Sequence, residues 1–183
     1  LLISLITPLF LYALPQDLEV FLDFEDAEGS VDFTLGDPPN QMRFIGFTGH
    51  KHPDILLRML EMGFDWDTCQ LPINVVDYHY RSFQQIVLPR LLEREMGVIG
   101  MKSLGGDAQL VRDAGLPPQE CRRYALSQPI STLVTGIESE ENLEQDLAIA
   151  DGFIPLTEQE QQLLRERVQP LAGDGRGSGP AAG

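Results

Sequence analysis

Basic residues are scarce in this chain and at first missing altogether. No Lys, Arg or His occurs before Arg43, while the same stretch carries Asp17, Glu19, Asp23, Glu25, Asp26, Glu28, Asp32 and Asp37. The whole chain sets 28 acidic residues against 13 Lys plus Arg, giving a formal net charge of -15 and a pI near 4.4. A surface of that sign repels nucleic-acid phosphates, which excludes nucleic acid as a partner class. Cysteine is nearly absent too: Cys69 and Cys121 lie far apart, without metal-ligand spacing. Neither a disulfide framework nor a zinc site follows from them, and two buried thiols in a reducing, cytoplasmic setting are expected. Long apolar runs are also lacking. Residues 1–14 are apolar apart from Ser4 and Thr7, but Pro8 interrupts them, and a spanning helix needs roughly 20 such residues. An export signal would need a positive start and a small-residue cleavage site, and the stretch has neither. A buried segment is the expectation there, and the missing initial Met leaves a trimmed or incomplete product open.

What the chain does have is enough apolar residue, 43% of 183, for one domain with a real core. It is too short for a complete eight-stranded α/β barrel. Composition changes near residue 41, just after the turn-forming Gly36-Asp37-Pro38-Pro39-Asn40. Three parts are therefore expected: an atypical acidic and apolar segment, 1–41; a folded part, 42–172; and a Gly/Ser/Pro/Ala tail, 173–183, of the composition that stays disordered. Within the first part, residues 17–33 alternate weakly, which fits a strand pair around Glu28-Gly29-Ser30.

The folded part alternates strand and helix. Parallel strands are predicted near 43–48, 67–71, 97–102 and 132–135, with helices between them. Residues 54–62 place Ile55, Leu56, Met59 and Leu60 on one face, and Gly63 stops that helix. Ser82 caps the next, in which Pro89 predicts a kink or a late start. Pro117-Pro118 opens another, Ser139 caps a fourth with Leu143 and Leu147 facing inward, and Thr157-Glu158-Gln159-Glu160 is a capping box for a last one. The pivot is Gly97-Val98-Ile99-Gly100-Met101-Lys102-Ser103-Leu104-Gly105-Gly106, an apolar run that delivers a basic residue, a hydroxyl and two glycines to one end of the sheet. Loops converge at such strand ends, and ligands bind there.

Four stretches in register carry a resemblance: Arg43-Phe44-Ile45-Gly46-Phe47-Thr48-Gly49-His50, Gln70-Leu71-Pro72-Ile73-Asn74, residues 97–106, and Val134-Thr135-Gly136-Ile137 with the helix after it. Over about residues 42–170 the chain resembles the C-terminal half of the aldo/keto reductase family. The fold this implies is α/β: a partial (β/α)8, TIM-type barrel with parallel strands, truncated to about its last four β/α units. The activity it implies is hydride transfer between NADP(H) or NAD(H) and a small carbonyl compound or alcohol, without metal. By that resemblance Thr48, His50 and Gln70 hold the nicotinamide carboxamide and Met101 packs on the ring. Lys102, Ser103 and Leu104 wrap the pyrophosphate, and Gly136, Ile137, Glu138, Asn142 and Asp146 surround the adenosine.

Plainer readings stand beside these. Thr48 could satisfy its own backbone, His50 and His52 could form a solvated turn, and Gln70 and Met101 could be ordinary core. Asp65 and Asp67 read as a solvated turn, while Tyr78, His79 and Tyr80 fit a substrate mouth and stacking on a barrel rim equally well.

Two departures from the family matter. Its proton-donating Tyr and the Asp, Lys and His around it would precede residue 42, where only Tyr12 occurs and Lys and His do not. The catalytic set is therefore unknown in this chain, and His50 is the one weak stand-in. Around the adenosine, Glu138, Glu140 and Glu141 offer nothing cationic to a 2′-phosphate, which leaves Arg112, Arg122 or Arg123 to reach it. Three function classes follow: a reductase represented by its cofactor-binding half, a non-catalytic dinucleotide-binding or interaction module, and a membrane-tethered or exported acidic protein. The first is expected. A half barrel has two open edges, and these are expected to be covered by residues 1–41 and by self-association.

Overall fold

The computed structural model describes residues 20–23 and 44–172. Five strands form one sheet in sequence order: β1 Val20–Asp23, β2 Ile45–Thr48, β3 Thr68–Pro72, β4 Gly97–Met101 and β5 Thr132–Leu133. Every neighbouring pair is parallel. The four expected strands are therefore present, and the α/β, partial-barrel expectation holds. β1 comes from the stretch where a strand pair was expected; only Val20–Asp23 of that stretch is described, and it runs parallel along the outer edge of β2. The remainder of 1–43 and the 173–183 tail lie outside the described residues.

Seven α-helices follow among the described residues: α1 Pro53–Glu61, α2 Phe83–Ile86, α3 Leu88–Glu93, α4 Gln109–Ala114, α5 Pro118–Leu126, α6 Glu140–Asp151 and α7 Glu158–Ala172. Local chemistry sets their limits. His52 Nδ1 accepts the Asp54 N–H at 3.2 Å ahead of α1, and Gly63, at φ 73°, turns the chain after it. Ser82 Oγ accepts the Gln85 N–H at 3.0 Å. The predicted effect of Pro89 is a break: α2 ends at Ile86 and α3 begins at Leu88, because Pro89 has no N–H to donate back to the preceding turn. Ser139 caps α6 through the Asn142 N–H at 3.2 Å, and Thr157 and Glu160 exchange reciprocal bonds at 2.7 and 3.3 Å ahead of α7.

Two apolar clusters result. In the first, Phe47, Cys69, Leu71 and Val98 from the sheet meet Leu56, Met59 and Leu60 of α1, Phe83 of α2, Leu88 and Leu91 of α3, and Val87 between those two helices. The second joins Val75 and Val76 after β3 to Leu110, Cys121, Tyr124 and Val168 of α4, α5 and α7. One expectation fails. Leu143 and Leu147 do not face inward; they are 40% and 55% exposed, and α6 buries none of its residues fully. The side of α6 that meets α5 is polar instead, with Arg122 Nε 2.8 Å from Asp146 Oδ1 and Arg122 Nη1 donating to Gln145 Oε1 at 3.2 Å. Helical spacing identified an apolar stripe without identifying what it touches.

Close packing beside β2 depends on Gly46. A methyl group there would sit 2.0 Å from Thr68 Oγ1 and 2.9 Å from the Thr68 carbonyl oxygen. Gly46→Ala is therefore expected to destabilise the fold by about 1–3 kcal/mol, read as a lower urea midpoint at an unchanged slope.

Candidate functional site

Parallel pairing gathers the strand C-termini at one end of the sheet. Thr48 ends β2 in register with Gln70 of β3, and Gln70 is in register with Ile99 of β4. Pro72 is opposite Met101. Residues alternate between faces along a strand, so Phe47, Cys69 and Val98 enter the core while half-buried Thr48, Gln70 and Met101 lie on the other face. There the Gln70 carboxamide donates through Nε2 to Met101 Sδ at 3.3 Å. Two of the expected site residues thus touch, and Thr48 is the cross-strand neighbour of Gln70. His50 follows at the end of β2, half-buried, after Gly49, whose N–H bonds the Gln70 carbonyl at 3.2 Å.

After β4 the backbone is unusual. Lys102 (φ 55°), Gly105 (78°), Asp107 (51°) and Ala108 (53°) all adopt left-handed conformations within seven residues. Non-glycine residues seldom do so, and such clusters occur where surrounding contacts hold them in place for function. The holding contacts are visible. Asn74, buried, donates from Nδ2 to the Lys102 carbonyl at 3.1 Å, the Gly105 N–H returns to that same carbonyl at 2.9 Å, and Arg112 Nη1 donates to the Asp107 carbonyl at 2.8 Å. Ser103 is buried, and Leu104 packs on the second apolar cluster. Backbone turns of this kind direct N–H groups into a common space and suit an anion. Space exists at the neighbouring loop as well, since a side chain at Gly136 would meet nothing within 4 Å.

The residues expected around an adenosine are less gathered. Gly136, Ile137 and Glu138 are exposed, the Asn142 N–H is taken by the Ser139 cap, and Asp146 is ion-paired with Arg122. All three arginines considered for a 2′-phosphate are engaged: Arg112 on the loop backbone, Arg122 on Asp146, and Arg123 on the Ile154 carbonyl at 3.0 Å. Asp67 is more than a solvated turn, because its carboxylate accepts the Ile45 N–H at 2.8 Å. Tyr78 lies under the Arg165 guanidinium at 4.1 Å and His79 Nε2 meets the Arg165 carbonyl at 2.8 Å, so this rim is tied to α7.

Behind the Lys102 loop runs a buried polar network that motif spacing did not reveal. Asn74 Oδ1 accepts the Asp77 N–H at 2.9 Å, and the Gln84 carboxamide donates to the Asn74 carbonyl. Tyr124 Oη donates to Gln84 Oε1 at 3.2 Å and accepts from Arg165 Nε at 3.1 Å; Arg165 continues to Glu158 at 2.7 Å and Gln161 at 3.0 Å. Asp77, buried, accepts from the N–H groups of Phe83 and Gln84 at 3.2 and 3.0 Å. Burial pushes its pKa up to about 6, with those hydrogen bonds partly opposing the rise. Tyr124 is raised too, chiefly by burial, against the Arg165 bond. Cys69 and Cys121 are free and buried; burial raises both thiols, Cys121 to about 11, which leaves them inert as nucleophiles. Among the described residues no group of side chains could hold a metal ion, and no helix is long and apolar enough to cross a membrane.

No family model and no curated protein matches the sequence. Solved structures do match the fold. The holo form of the aldo-keto reductase AKR11C1 from Bacillus halodurans aligns with 88% of this chain and 65% of its own at 15% identity and a TM-score of 0.57. Its apo form aligns over 90% and 67% at 16% identity, also with a TM-score of 0.57. The thermostable aldo-keto reductase Tm1743, solved with the inhibitor epalrestat, aligns over 88% and 64% at 14% identity and a TM-score of 0.55. The fold is therefore that of the aldo-keto reductase barrels, and the chain spans about two thirds of their length.

Asp77 supplies a test of the network. Its carboxyl holds a proton more tightly folded, near 6, than unfolded, near 3.8. Its contribution to stability is then full below about pH 4 and lost as pH rises through about 6, a change of up to about 3 kcal/mol. Denaturation of wild type and Asp77→Asn at pH 4 and pH 7 should show the wild type losing ground to the variant by the higher pH. A constant difference between them would contradict the assignment.

Proposed function

We propose that this chain binds a nicotinamide dinucleotide, NADP(H) or NAD(H), across the strand ends, and that alone it lacks the acid needed to reduce a carbonyl. The observation that carries the reading is the Gln70–Met101 contact at 3.3 Å, beside Thr48 and directly before the left-handed Lys102 loop. A primary carboxamide and a polarizable thioether side by side offer a hydrogen-bonding edge and a flat apolar surface, which is what a nicotinamide presents in return. Lys102 supplies a cation for the pyrophosphate at the positive-φ turn that runs on to Gly105. His50 belongs to the nicotinamide end. Ser103 and Leu104 shape the loop, and Gly136, Ile137, Glu138, Asn142 and Asp146 border the adenosine end, where Asp146 would keep its ion pair. When bound, the cofactor would supply the hydride, and a small carbonyl compound is the substrate class if turnover occurs. The buried free thiols fit work in the cytoplasm.

Catalysis is the weaker half of the design. Hydride addition to a carbonyl builds negative charge on oxygen, and a positioned acid is worth roughly 10² to 10⁴-fold. Tyr124 is buried between Gln84 and Arg165, and Tyr78 is occupied by the Arg165 guanidinium. His50, at the strand end after Thr48, is the candidate donor.

Fluorescence titration should detect binding of NADPH or NADH, and Lys102→Ala should weaken it about ten- to a hundred-fold, the worth of one charge-assisted contact. Failure of both nucleotides to bind at millimolar concentration refutes the assignment. In aldehyde reduction assays the chain alone should stay below tens of turnovers per second. Any activity carried by His50 should vanish in His50→Ala; fast turnover insensitive to that change would put the active site elsewhere.

A further inference from the structure

Tyr124 of α5 joins two parts of the molecule that lie far apart along the chain. Its ring is fully buried and its hydroxyl is bonded on two sides. A guanidinium can only donate, so Arg165 Nε gives its hydrogen to Tyr124 Oη at 3.1 Å, and the phenol gives its own to Gln84 Oε1 at 3.2 Å. Gln84 is oriented in turn, because its Nε2 faces two acceptors, the Asn74 carbonyl and Asp77 Oδ2. Asn74 is oriented as well: Oδ1 accepts the Asp77 N–H, which turns Nδ2 toward the Lys102 carbonyl at 3.1 Å. Every donor in the series therefore points the same way, from α7 toward the left-handed turn at Lys102, and no member can be reversed alone. Asn74, Gln84, Tyr124 and Arg165 are each no more than 7% exposed, so solvent does not compete for these bonds.

An apolar contact joins the same two parts. Leu104 packs on the cluster that buries Leu110 of α4 and Val168 of α7, and the Leu110 N–H bonds the Leu104 carbonyl at 3.0 Å. The turn from Lys102 to Leu104 is thus held from α7 by a polar route and an apolar one. It needs holding, since a lysine at φ 55° is in a conformation that side-chain-bearing residues seldom choose. We propose that Tyr124 and Arg165 are positioning residues for the nucleotide: through Gln84 and Asn74 they fix the turn in which Lys102 meets an anion. The inference rests on the cofactor reading above and adds a remote control to it. Order in α7 and affinity at Lys102 are linked, so a bound nucleotide protects α7 to the extent that α7 strengthens binding.

The test uses the full chain, amide exchange, and fluorescence titration with NADH or NADPH. Tyr124→Phe removes one hydroxyl and keeps the ring, so it severs the series without emptying the core. In the ligand-free protein it should speed exchange of the Gly105 amide, which bonds the Lys102 carbonyl, relative to the sheet amides of β3. It should weaken nucleotide binding about two- to thirty-fold, the range of effects along coupled networks. Asn74→Ala should also weaken binding, and the two changes combined should lose no more than Asn74→Ala alone, because both cut one series. Nucleotide should slow exchange in α7 of wild type but not of Tyr124→Phe. Leu91→Val loosens the other apolar cluster, controls for a general loss of stability, and should leave Gly105 exchange and affinity unchanged. Gln84→Met cuts the next link and replaces Tyr124→Phe if that variant does not fold. Unchanged Gly105 exchange or unchanged affinity in Tyr124→Phe overturns the proposal, as do fully additive losses or equal weakening by Leu91→Val. If neither nucleotide binds wild type, the cofactor reading falls, while Gly105 exchange in the ligand-free proteins still decides the positioning role.

Discussion

The parallel pairing of β2, β3 and β4, with Phe47, Cys69 and Val98 in one register row and Thr48, Gln70 and Ile99 in the next, decides where everything else can go. Parallel strands cannot be joined by tight turns, so each must be followed by a crossover, and the crossover helices bury one face of the sheet. That explains why α1, α2 and α3 share a single apolar cluster with the first row. The same pairing brings all strand C-termini to one end and leaves the second row free of the core. A slip of one residue would exchange the rows, burying Gln70 and Thr48 while exposing Cys69 and Phe47. Gly46 and Gly97, both in register with Thr68, make that slip harder, since their missing side chains leave the room that Thr68 fills.

The second constraint is polar. Asn74 and Gln84 are deeply buried, and each would be costly without partners. The Gln84 carboxamide donates to the Asn74 carbonyl and continues through Tyr124 to Arg165, while the Asn74 side chain bonds Asp77 and Lys102, so the loop after β3 is held by α7, far along the chain. Asn74 also grips the Lys102 carbonyl, which couples the shape of the candidate anion loop to the same network. In a buried setting such bonds reinforce each other, and a partly satisfied network would be worse than an apolar one. The left-handed backbone at Lys102 is thus held from behind rather than being the free choice of a loop.

Strands, helix limits and the Pro89 break were legible in the sequence because each depends on residues within a few positions: an apolar run, a capping hydroxyl, a missing N–H. The Asn74–Arg165 network was not, because its successive members are 10, 40 and 41 residues apart and none has a spacing that marks it. Positive φ at Lys102 was invisible because lysine does not announce it, and at Asp107 the residue type gives only a weak hint. Asp146 matched a family position by register, yet its carboxylate meets a buried arginine that register could not locate. The α6 leucines show the limit of periodicity most plainly. A helical stripe says that something apolar is to be met, not that the rest of the described chain meets it.

The two ends of the candidate site therefore differ in how far they are built before any ligand arrives. Thr48, Gln70, Met101 and Lys102 stand on strands or on a loop braced by buried bonds, with apolar core directly beneath. The Gly136 loop joins a two-residue strand to a helix that buries nothing fully, and regions with so few buried contacts open at low free-energy cost. A dinucleotide bound as proposed would meet a preformed nicotinamide end and would have to order the other end at its own expense, which lowers affinity.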